Sequence, residues 1–272
     1  ITGAMSVTFN GQEYTLEQAA NFLKDLNRET RKEAWQSITL RRLDDADKLN
    51  NLFNELKTLR HTVATNAGFL DFRDYMFAAL GRFDYTPQDC FDFHDSIQRV
   101  IVPLLAEQAE ERKNALQLNA LKPWDTEVDT SGKEALKPFN DGEDLIDKSI
   151  VCFNRLGSFF GDRLQAMKDH NFFDVESRKG KAPGGYNYPL AETGAPFIFM
   201  NAANSFRDLT TMVHEGGHAI HTFVTADLEL NDFKHCPSEV AELASMSMEL
   251  ISMDHWDVFF TDAEELKRAK RY

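Results

Sequence analysis

The stretch of residues 205–221 reads SFRDLTTMVHEGGHAIH, and the interpretation of the whole chain starts from it. Its first four residues form a capping box, in which Ser205 and Asp208 can satisfy free amides at the start of a helix. Apolar residues flank the centre of the stretch on both sides. The stretch therefore predicts one helix that places His214 and His218 on the same face, one turn apart.

The HEGGH motif within this helix indicates chemistry rather than packing alone. Imidazoles four residues apart on a helix can both reach one zinc ion, and a catalytic zinc ion commonly has three protein ligands and one open position. Glu215 follows the first histidine and can take a proton from the attacking water. Gly216 and Gly217 each cost about 1 kcal/mol relative to alanine inside a helix. We therefore expect another backbone or a ligand to come close to these two glycines.

The residues alone leave the third zinc ligand open. A histidine at position 224 would mark one class of zinc peptidase, but Val224 stands there. His221 is only three residues after His218 and would crowd the metal, whereas Pro237 predicts the start of a second helix. That helix places three glutamates and two methionines on one stripe, as expected for a helix that faces a metal. The candidates for the third ligand are His221, His235, Glu239 and Glu242.

The rest of the chain predicts a mainly helical protein. Capping signatures or helical periodicity begin helices near residues 15, 30, 46 and 87, and another helix is expected from 145 to 167. Pro103 should kink the helix that begins near residue 87. Residues 180–188 are too rich in glycine for a helix, and the β-prone segment PFIFMN follows at 196–201. The predicted fold class is mainly α, with a small antiparallel β-sheet beside the helix that contains the motif.

The segment 121–142 contains two prolines and two glycines and predicts a division of the chain. Residues 1–122 are expected to form part of a helical lobe, and residues 123–272 a lobe that holds the metal site. The chain does not begin with Met, and its last residues end within a helical pattern. We therefore expect a piece of a longer enzyme.

Composition and charge exclude several classes of protein. The 272 residues have a net charge of −14, which argues against nucleic acid as a partner because phosphate binding needs a cationic surface. No run of about 18 uncharged apolar residues is present, so no membrane span is expected. The three cysteines are far apart in the sequence and fit a reducing compartment. We expect a cytoplasmic protein.

Several segments together resemble one known family of enzymes. HEGGHAIH at 214–221, AELAS at 241–245 and Glu249 are similar to the oligoendopeptidase F and thimet-type zinc peptidases. Further upstream the resemblance includes PFIFMN, the pair Gly185–Tyr186, GRFDY at 81–85 and PWD at 123–125. The resemblance implies a zincin-like helical peptidase fold.

The resemblance also implies the members of a zinc centre. In that family the third ligand is the glutamate of the AELAS segment, which is Glu242 here, with Glu239 as the alternative. His214 and His218 would supply the other two ligands of one Zn²⁺, and Glu215 would act as the catalytic base. The residues expected behind the ligands are His221, Glu239 and Glu249.

The implied activity is zinc-dependent hydrolysis of internal bonds in short unfolded oligopeptides, within a channel between two helical lobes. The strand near Phe197–Asn201 would then form a sheet edge on which extended substrate pairs. The residues expected to contact substrate are Gly185, Tyr186, Phe199 and Asn201. The family's oxyanion-stabilising histidine and tyrosines lie in a segment for which this chain has no match.

Other interpretations stay open at this point. The motif fixes the metal and not the mode of attack, so a zinc carboxypeptidase or aminopeptidase is one alternative. A fragment that captures peptides without turnover is a second alternative, and an acidic helical scaffold without metal is a third. The sequence indicates neither the cleavage preference nor the oligomeric state.

Overall fold

The fold comes from a computed structural model, which describes residues 1–271. In chain order the helices are α1 (Leu16–Ala20), α2 (Arg28–Leu43), α3 (Ala46–Asn66), α4 (Phe72–Ala79), α5 (Pro87–Ser96), α6 (Val102–Ala115), α7 (Gly142–Leu156), α8 (Ser158–Asp169), α9 (Phe206–Thr225), α10 (Ser238–Ser252) and α11 (Ala263–Ala269). The strands are β1 (Ser6–Phe9), β2 (Gln12–Thr15), β3 (Phe173–Glu176), β4 (Tyr186–Leu190) and β5 (Ala195–Ala202).

Capping side chains explain where the main helices begin. Thr15, Thr86 and Ser205 each form a capping box with the side chain three residues later, at the starts of α1, α5 and α9. Helix α2 begins slightly before its predicted start, because the side chain of Asn27 accepts a hydrogen bond from the backbone N–H of Glu29.

Two interruptions shape the long helical segments. The expected kink at Pro103 takes the form of a π-helical turn over Ile97–Ile101, directly before α6. Proline lacks an N–H, and its ring would clash with the carbonyl four residues earlier, which the wider turn avoids. The single helix expected from 145 to 167 is two helices, α7 and α8, separated at Gly157.

The chain divides into two compact units. One contains Leu23–Lys133 together with Ile1, and the other contains Thr2–Phe22 together with the chain from Glu134 onward. The sequence-based limits of 1–122 and 123–272 stay a prediction about domains, and Tyr272 lies outside the described residues. Residues shortly after 122 group with the first unit because Asp125 is bound there to α2.

In the first unit, Asp125 is the centre of a cluster of charged side chains. Its carboxylate, fully buried, accepts hydrogen bonds from Arg28 at 2.8 and 2.9 Å and from Arg31 at 3.1 Å. The backbone N–H of Lys122 donates a further bond at 2.9 Å. Burial would raise the pKa of Asp125, but these hydrogen bonds outweigh it and lower the pKa below its usual value. The turn at PWD is therefore fastened to α2 by charge-assisted bonds.

The second unit contains a small three-stranded sheet beside α9. The strand order is β3-β5-β4, and β4 pairs antiparallel with β5 in the register Tyr186↔Phe199. Strand β3 adds a parallel pair on the other side of β5. This arrangement confirms the mainly α fold class with a small sheet, and it adds β3, which the sequence analysis did not predict.

The strand that was expected to form an edge of the sheet is not an edge strand. Phe197–Asn201 lies within β5, which is hydrogen-bonded on both sides and is therefore the central strand. Among the described residues the edge strands of this sheet are β3 and β4. The outer strand β4 follows a glycine-rich stretch that the sequence analysis only excluded from a helix, so the place of β4 beside β5 was not predicted.

Helix α9 is surrounded by apolar contacts within the second unit. It buries Leu209, Met212 and Val213 completely. Alternate residues of β5, including Ile198 and Met200, are also buried in this core. Within residues 1–271 no helix combines the length and apolarity needed to cross a bilayer.

The two glycines of the motif sit where neighbouring elements come closest. A Cβ atom on Gly216 would lie 2.6 Å from Cζ of Phe153 in α7. A Cβ atom on Gly217 would lie 2.8 Å from both the Cα atom of Ser245 and the Cβ atom of Met248 in α10. The close approach expected from the sequence is thus present, and at Gly217 it involves the backbone of α10.

We predict that Gly217→Ala lowers the free energy of unfolding by about 1–3 kcal/mol, because the added methyl group overpacks against α10. Helix propensity alone would give the opposite sign, a gain of about 1 kcal/mol. Urea denaturation followed by circular dichroism measures the change. Gly216→Ala is the comparison, because its added methyl group would clash with the side chain of Phe153. Adding Phe153→Leu should therefore restore stability to Gly216→Ala. Shortening a side chain cannot restore Gly217→Ala in this way, because its clash is with the backbone of α10. A stabilised Gly217→Ala would contradict the packing.

We predict that Asp125→Ala lowers the free energy of unfolding by about 3–5 kcal/mol, because it leaves the buried Arg31 guanidinium without its counter-charge. Because the pKa of Asp125 is lowered by folding, its contribution is present above the ordinary carboxyl pKa and is lost as the pH falls through the lowered value. Asp74→Ala, which removes an exposed partner of Arg73, should cost less than about 1 kcal/mol. The free energies of unfolding of both variants are measured by urea denaturation. Equal losses in the two variants would refute the claim that burial makes the Asp125 ion pairs more stabilising than an exposed pair.

Candidate metal centre

Three side chains from two adjacent helices converge in the second unit. His214 and His218 come from α9, and Glu242 comes from α10. The Nε2 atom of His214 lies 3.2 Å from Oε2 of Glu242, and the Nε2 atom of His218 lies 3.9 Å from Oε1. One ligand atom from each of the three residues lies within 4.8 Å of the others. The close packing of α9 on α10 at Gly217 brings the carboxylate to the two imidazoles.

This donor set fits a zinc ion. Two histidines and one glutamate form a known ligand set of catalytic zinc sites. Ligand atoms about 2.0–2.2 Å from a tetrahedral zinc ion stand roughly 3.3–3.6 Å apart, a range that the two measured separations bracket. Burial, followed by the neighbouring His214, lowers the pKa of His218. A lowered pKa favours the neutral imidazole, which is the form that binds a metal.

Glu249 holds His214 from behind. The Nδ1 atom of His214 lies 2.7 Å from Oε1 of Glu249, which is about two turns further along α10 than Glu242. Donation of the Nδ1 proton to this carboxylate leaves the lone pair of Nε2 facing the other two ligands. The structure therefore places Glu249 where it can set the tautomer and the orientation of one ligand.

Glu215 is a buried carboxylate beside the three converging side chains. Burial raises the pKa of Glu215 to about 6, while His214 lowers it, Glu242 raises it and a hydrogen bond from the backbone of Asn187 lowers it. Its Oε2 atom is buried and has no hydrogen-bond partner among the described residues. An unpartnered acceptor of this kind is expected where a proton donor binds during a reaction.

These side chains line one open cavity of about 450 Å³. Gly185, Tyr186 and Asn187 form one wall, and they come from the start of β4 and the loop before it. The remaining lining residues are Pro189, His214, Glu215, His218, His221, Thr222, Thr225, Lys234, His235, Cys236, Ala241 and Glu242. The site is thus a cleft between β4, α9 and the beginning of α10, with room for a ligand beside the metal-binding atoms.

The other predicted residues occupy different places. Phe199 stacks on Tyr186, with 4.8 Å between ring centroids, and so supports a cavity residue from behind. Asn201 donates to the backbone carbonyls of Ala182 and Gly184 at 2.8 Å, which fixes the glycine-rich loop. Direct contact of Phe199 and Asn201 with substrate was expected from a sheet edge at β5, and the central position of β5 removes that reason.

The alternatives for the third ligand are separated by position. Glu239 is exposed and lies outside the group of converging ligand atoms in the described residues. His221 and His235 line the cavity but do not belong to that group either.

The sequence analysis missed Asn187 and Thr222, because neither belongs to a motif and only the pairing of β4 with β5 brings Asn187 to α9.

Comparison with known proteins assigns the family. Residues 21–271 match the sequence profile described as Peptidase family M3. The chain belongs to peptidase family M3. The chromosomal oligoendopeptidase F of Lactococcus lactis subsp. cremoris is 25% identical over 233 residues, which cover 85% of this chain and 37% of that protein. Oligopeptidase PepF of Bacillus subtilis is 24% identical over 253 residues, which cover 89% of this chain and 35% of that protein.

Solved structures of peptidases share the fold of this chain. A 3.1 Å crystal structure assigned to oligoendopeptidase F superposes with a TM-score of 0.93 at 27% identity, covering 99% of this chain and 47% of that one. PZ peptidase A with an inhibitor superposes with a TM-score of 0.92 at 27% identity, covering 98% and 47%. The resemblance and the fold class are therefore confirmed, and the chain spans less than half the length of these relatives.

We predict that Glu249→Gln weakens zinc binding by about 10–100-fold, because the Nδ1–H of His214 loses its charged acceptor. Competition with a chromophoric chelator measures the affinity. Glu239→Gln is the matched control on the same helix and should leave the affinity unchanged, whereas Glu242→Gln should lower it further than Glu249→Gln. A larger loss in Glu239→Gln than in Glu242→Gln would overturn the choice of the third ligand.

Proposed function

We propose that this chain contains the zinc centre of an endopeptidase that hydrolyses internal bonds of short unfolded oligopeptides. The observation that supports this most is the convergence of His214, His218 and Glu242 beside the buried Glu215 on one cavity. Membership of family M3 supports peptide hydrolysis. The names of the relatives, oligoendopeptidase F and oligopeptidase, favour cleavage of internal bonds in short peptides.

His214, His218 and Glu242 would hold one Zn²⁺ through their Nε2 and carboxylate atoms. When bound, such an ion supplies Lewis acidity, which lowers the pKa of water to about 7 and polarises the carbonyl of the scissile bond. Glu249 keeps the imidazole of His214 in one tautomer and one orientation through the 2.7 Å bond to Nδ1.

Glu215 would act as general base and then as general acid. Its carboxylate takes the proton from the attacking water and passes it to the nitrogen of the leaving amine. Burial raises its pKa to about 6, which lies near the range in which a carboxylate both accepts and returns a proton efficiently. Burial also excludes bulk water that would compete for the same lone pairs.

An extended peptide is the substrate form that the surroundings favour. Strand β4 lies at the edge of the sheet, and its residues Tyr186 and Asn187 line the cavity. A peptide that adds to this edge would gain backbone hydrogen bonds, which do not depend on the identity of its side chains. Gly185 has no side chain to obstruct it, and a Cβ atom there would lie 3.5 Å from Oε1 of Glu215. The edge assigned from the sequence to β5 is thus transferred to β4.

The remaining partner and location assignments rest on composition. Cys90, Cys152 and Cys236 are free thiols, as in a protein of a reducing compartment. Burial raises the pKa of Cys152 to about 12, so this thiol is an inert part of the core. We propose a cytoplasmic location and peptides, not nucleic acid or membranes, as partners.

We predict that Glu215→Gln retains stoichiometric zinc and loses peptide cleavage by about 10²–10⁴-fold, because the amide cannot accept the proton. Glu229→Gln, the same chemical change at an exposed position after α9, is the matched control and should keep both zinc and activity. Zinc is quantified by atomic emission, and cleavage of a fluorogenic peptide gives kcat and KM. Full activity in Glu215→Gln would defeat the assignment of the base.

A mixed peptide panel read by mass spectrometry tests the mode of attack. Internal cuts in peptides blocked at both ends are expected. Trimming of free ends alone would favour a carboxypeptidase or aminopeptidase. Stoichiometric zinc and peptide binding without any cut would favour capture without turnover, and a protein that binds no zinc would refute the proposal.

A further inference from the structure

Lys181 is a buried cation for which the proposed mechanism has no use. Its side chain is 1% exposed, although lysine is almost never buried so completely. The Nζ atom donates three hydrogen bonds of 2.9 Å, to the backbone carbonyls of Asp174 and Glu176 and to Oδ1 of Asp174. These bonds use all three donors of the ammonium group, and both acceptor residues belong to β3. The cation is therefore fixed to one edge of the sheet.

An aromatic ring of β5 lies between this cation and the candidate site. The Nζ atom of Lys181 lies 4.5 Å from the centroid of the Phe199 ring. Tyr186 stacks on Phe199, with 4.8 Å between the ring centroids and 11° between the ring planes. Lys181 is bound to β3 and Tyr186 belongs to β4, and these two strands lie on opposite sides of β5. The Phe199 ring is thus held between a cation and a second ring, in a stack of three side chains.

The segment 181–186 joins the two ends of this stack. Asn201 of β5 donates hydrogen bonds of 2.8 Å to two backbone carbonyls within the segment. Near its end, a Cβ atom on Gly185 would lie 3.5 Å from Oε1 of Glu215. A displacement of the segment would therefore move a wall of the cavity directly beside the proposed base.

Tyr186 is the member of the stack that reaches the cavity. Its side chain lines the cavity and the residue is 48% exposed. Because β4 is an edge strand, β5 is its neighbour in the sheet on one side only. A half-exposed side chain loses rotamer freedom when a ligand fixes it, and a ring that is already fixed avoids this cost. Aromatic stacking and the cation near the ring supply the attraction that fixes it.

We propose that Lys181 is a positioning residue, which acts through Phe199 to hold the ring of Tyr186 as a fixed wall of the substrate cleft. The stack strengthens peptide binding and takes no part in the chemical step. Its loss should therefore raise KM and leave kcat nearly unchanged, because the wall meets the peptide equally before and during the reaction. The inference rests on the proposed peptidase function and assigns to the glycine-rich segment a role in binding the peptide.

The first test removes the ring between the cation and Tyr186. Phe199→Leu keeps an apolar side chain but should raise KM for the fluorogenic peptide by about 2–10-fold, the range that one aromatic contact supplies. The value of kcat should stay within about twofold, and zinc binding should stay unchanged. Phe199→Tyr retains the ring and should retain the KM of the unaltered chain. Phe173→Leu makes the same change in β3 and is the matched control. An unchanged KM in Phe199→Leu, or an equal rise in Phe173→Leu, would overturn the proposal.

The second test asks whether Lys181 acts through Phe199. Lys181→Met should raise KM, whereas Lys179→Met, which removes an exposed lysine two residues earlier, should leave it unchanged. The double variant Lys181→Met/Phe199→Leu should raise KM no further than the larger single change, because both substitutions break the same stack. A rise equal to the product of the two separate rises would refute action through the ring.

The third test observes the stack without turnover and also decides the case in which Lys181→Met does not fold. In NMR spectra of the zinc-loaded full chain, the ring protons of Tyr186 and the Hε protons of Lys181 should be shifted upfield, because both groups lie against the Phe199 ring. Phe199→Leu should remove both shifts, and Phe173→Leu should retain them. Shifts that are the same in Phe199→Leu would refute the inference. Absence of peptide cleavage by the unaltered chain would instead refute the proposed function, so the two failures are distinguishable.

Discussion

The close contact between α9 and α10 at Gly217 is the constraint on which the candidate site depends. A Cβ atom there would lie 2.8 Å from the backbone of Ser245. Because the helices approach so closely, the carboxylate of Glu242 comes within 3.2 Å of one imidazole and 3.9 Å of the other. The same contact sets Glu249 against the opposite nitrogen of His214. A spacing wider by one methyl group would alter all of these distances together, so the helix propensity lost at the glycine is part of the geometry of the site.

Much of the site was predictable because its information is local. A helix is enough to bring His214 and His218 to the same face at their spacing, and the capping box at Ser205 predicts where that helix begins. Position Glu242 followed from resemblance to a family and not from spacing, since the residues alone left four candidates open. The structure separates those candidates by bringing one carboxylate to the histidines. The fold class was equally accessible, because capping signatures and apolar periodicity mark the helices one by one.

The rest could not be predicted because it depends on pairing between distant segments. The central place of β5 in the sheet is decided by β3, which joins β5 from a region between the helices and the glycine-rich loop. No local sequence pattern predicts the parallel pairing of β3 with β5, so β5 was taken for the edge strand. The break at Gly157 was missed because apolar periodicity continues across it, and one glycine inside a helical pattern is commonly tolerated. Asn187 and Thr222 face each other only once β4 is paired and packed on α9.

The position of β4 places one strand beside both the cavity and the open edge of the sheet. Its residues Tyr186 and Asn187 line the cavity next to Glu215, and its outer backbone is the edge on which an extended peptide would add. A displacement of this strand would therefore move a bound peptide relative to Glu215, which belongs to α9. Near-attack geometry tolerates only small errors in position, so the contact of Asn187 with Thr222 of α9 is a physical reason for the strand to keep its distance from the helix that contains the motif.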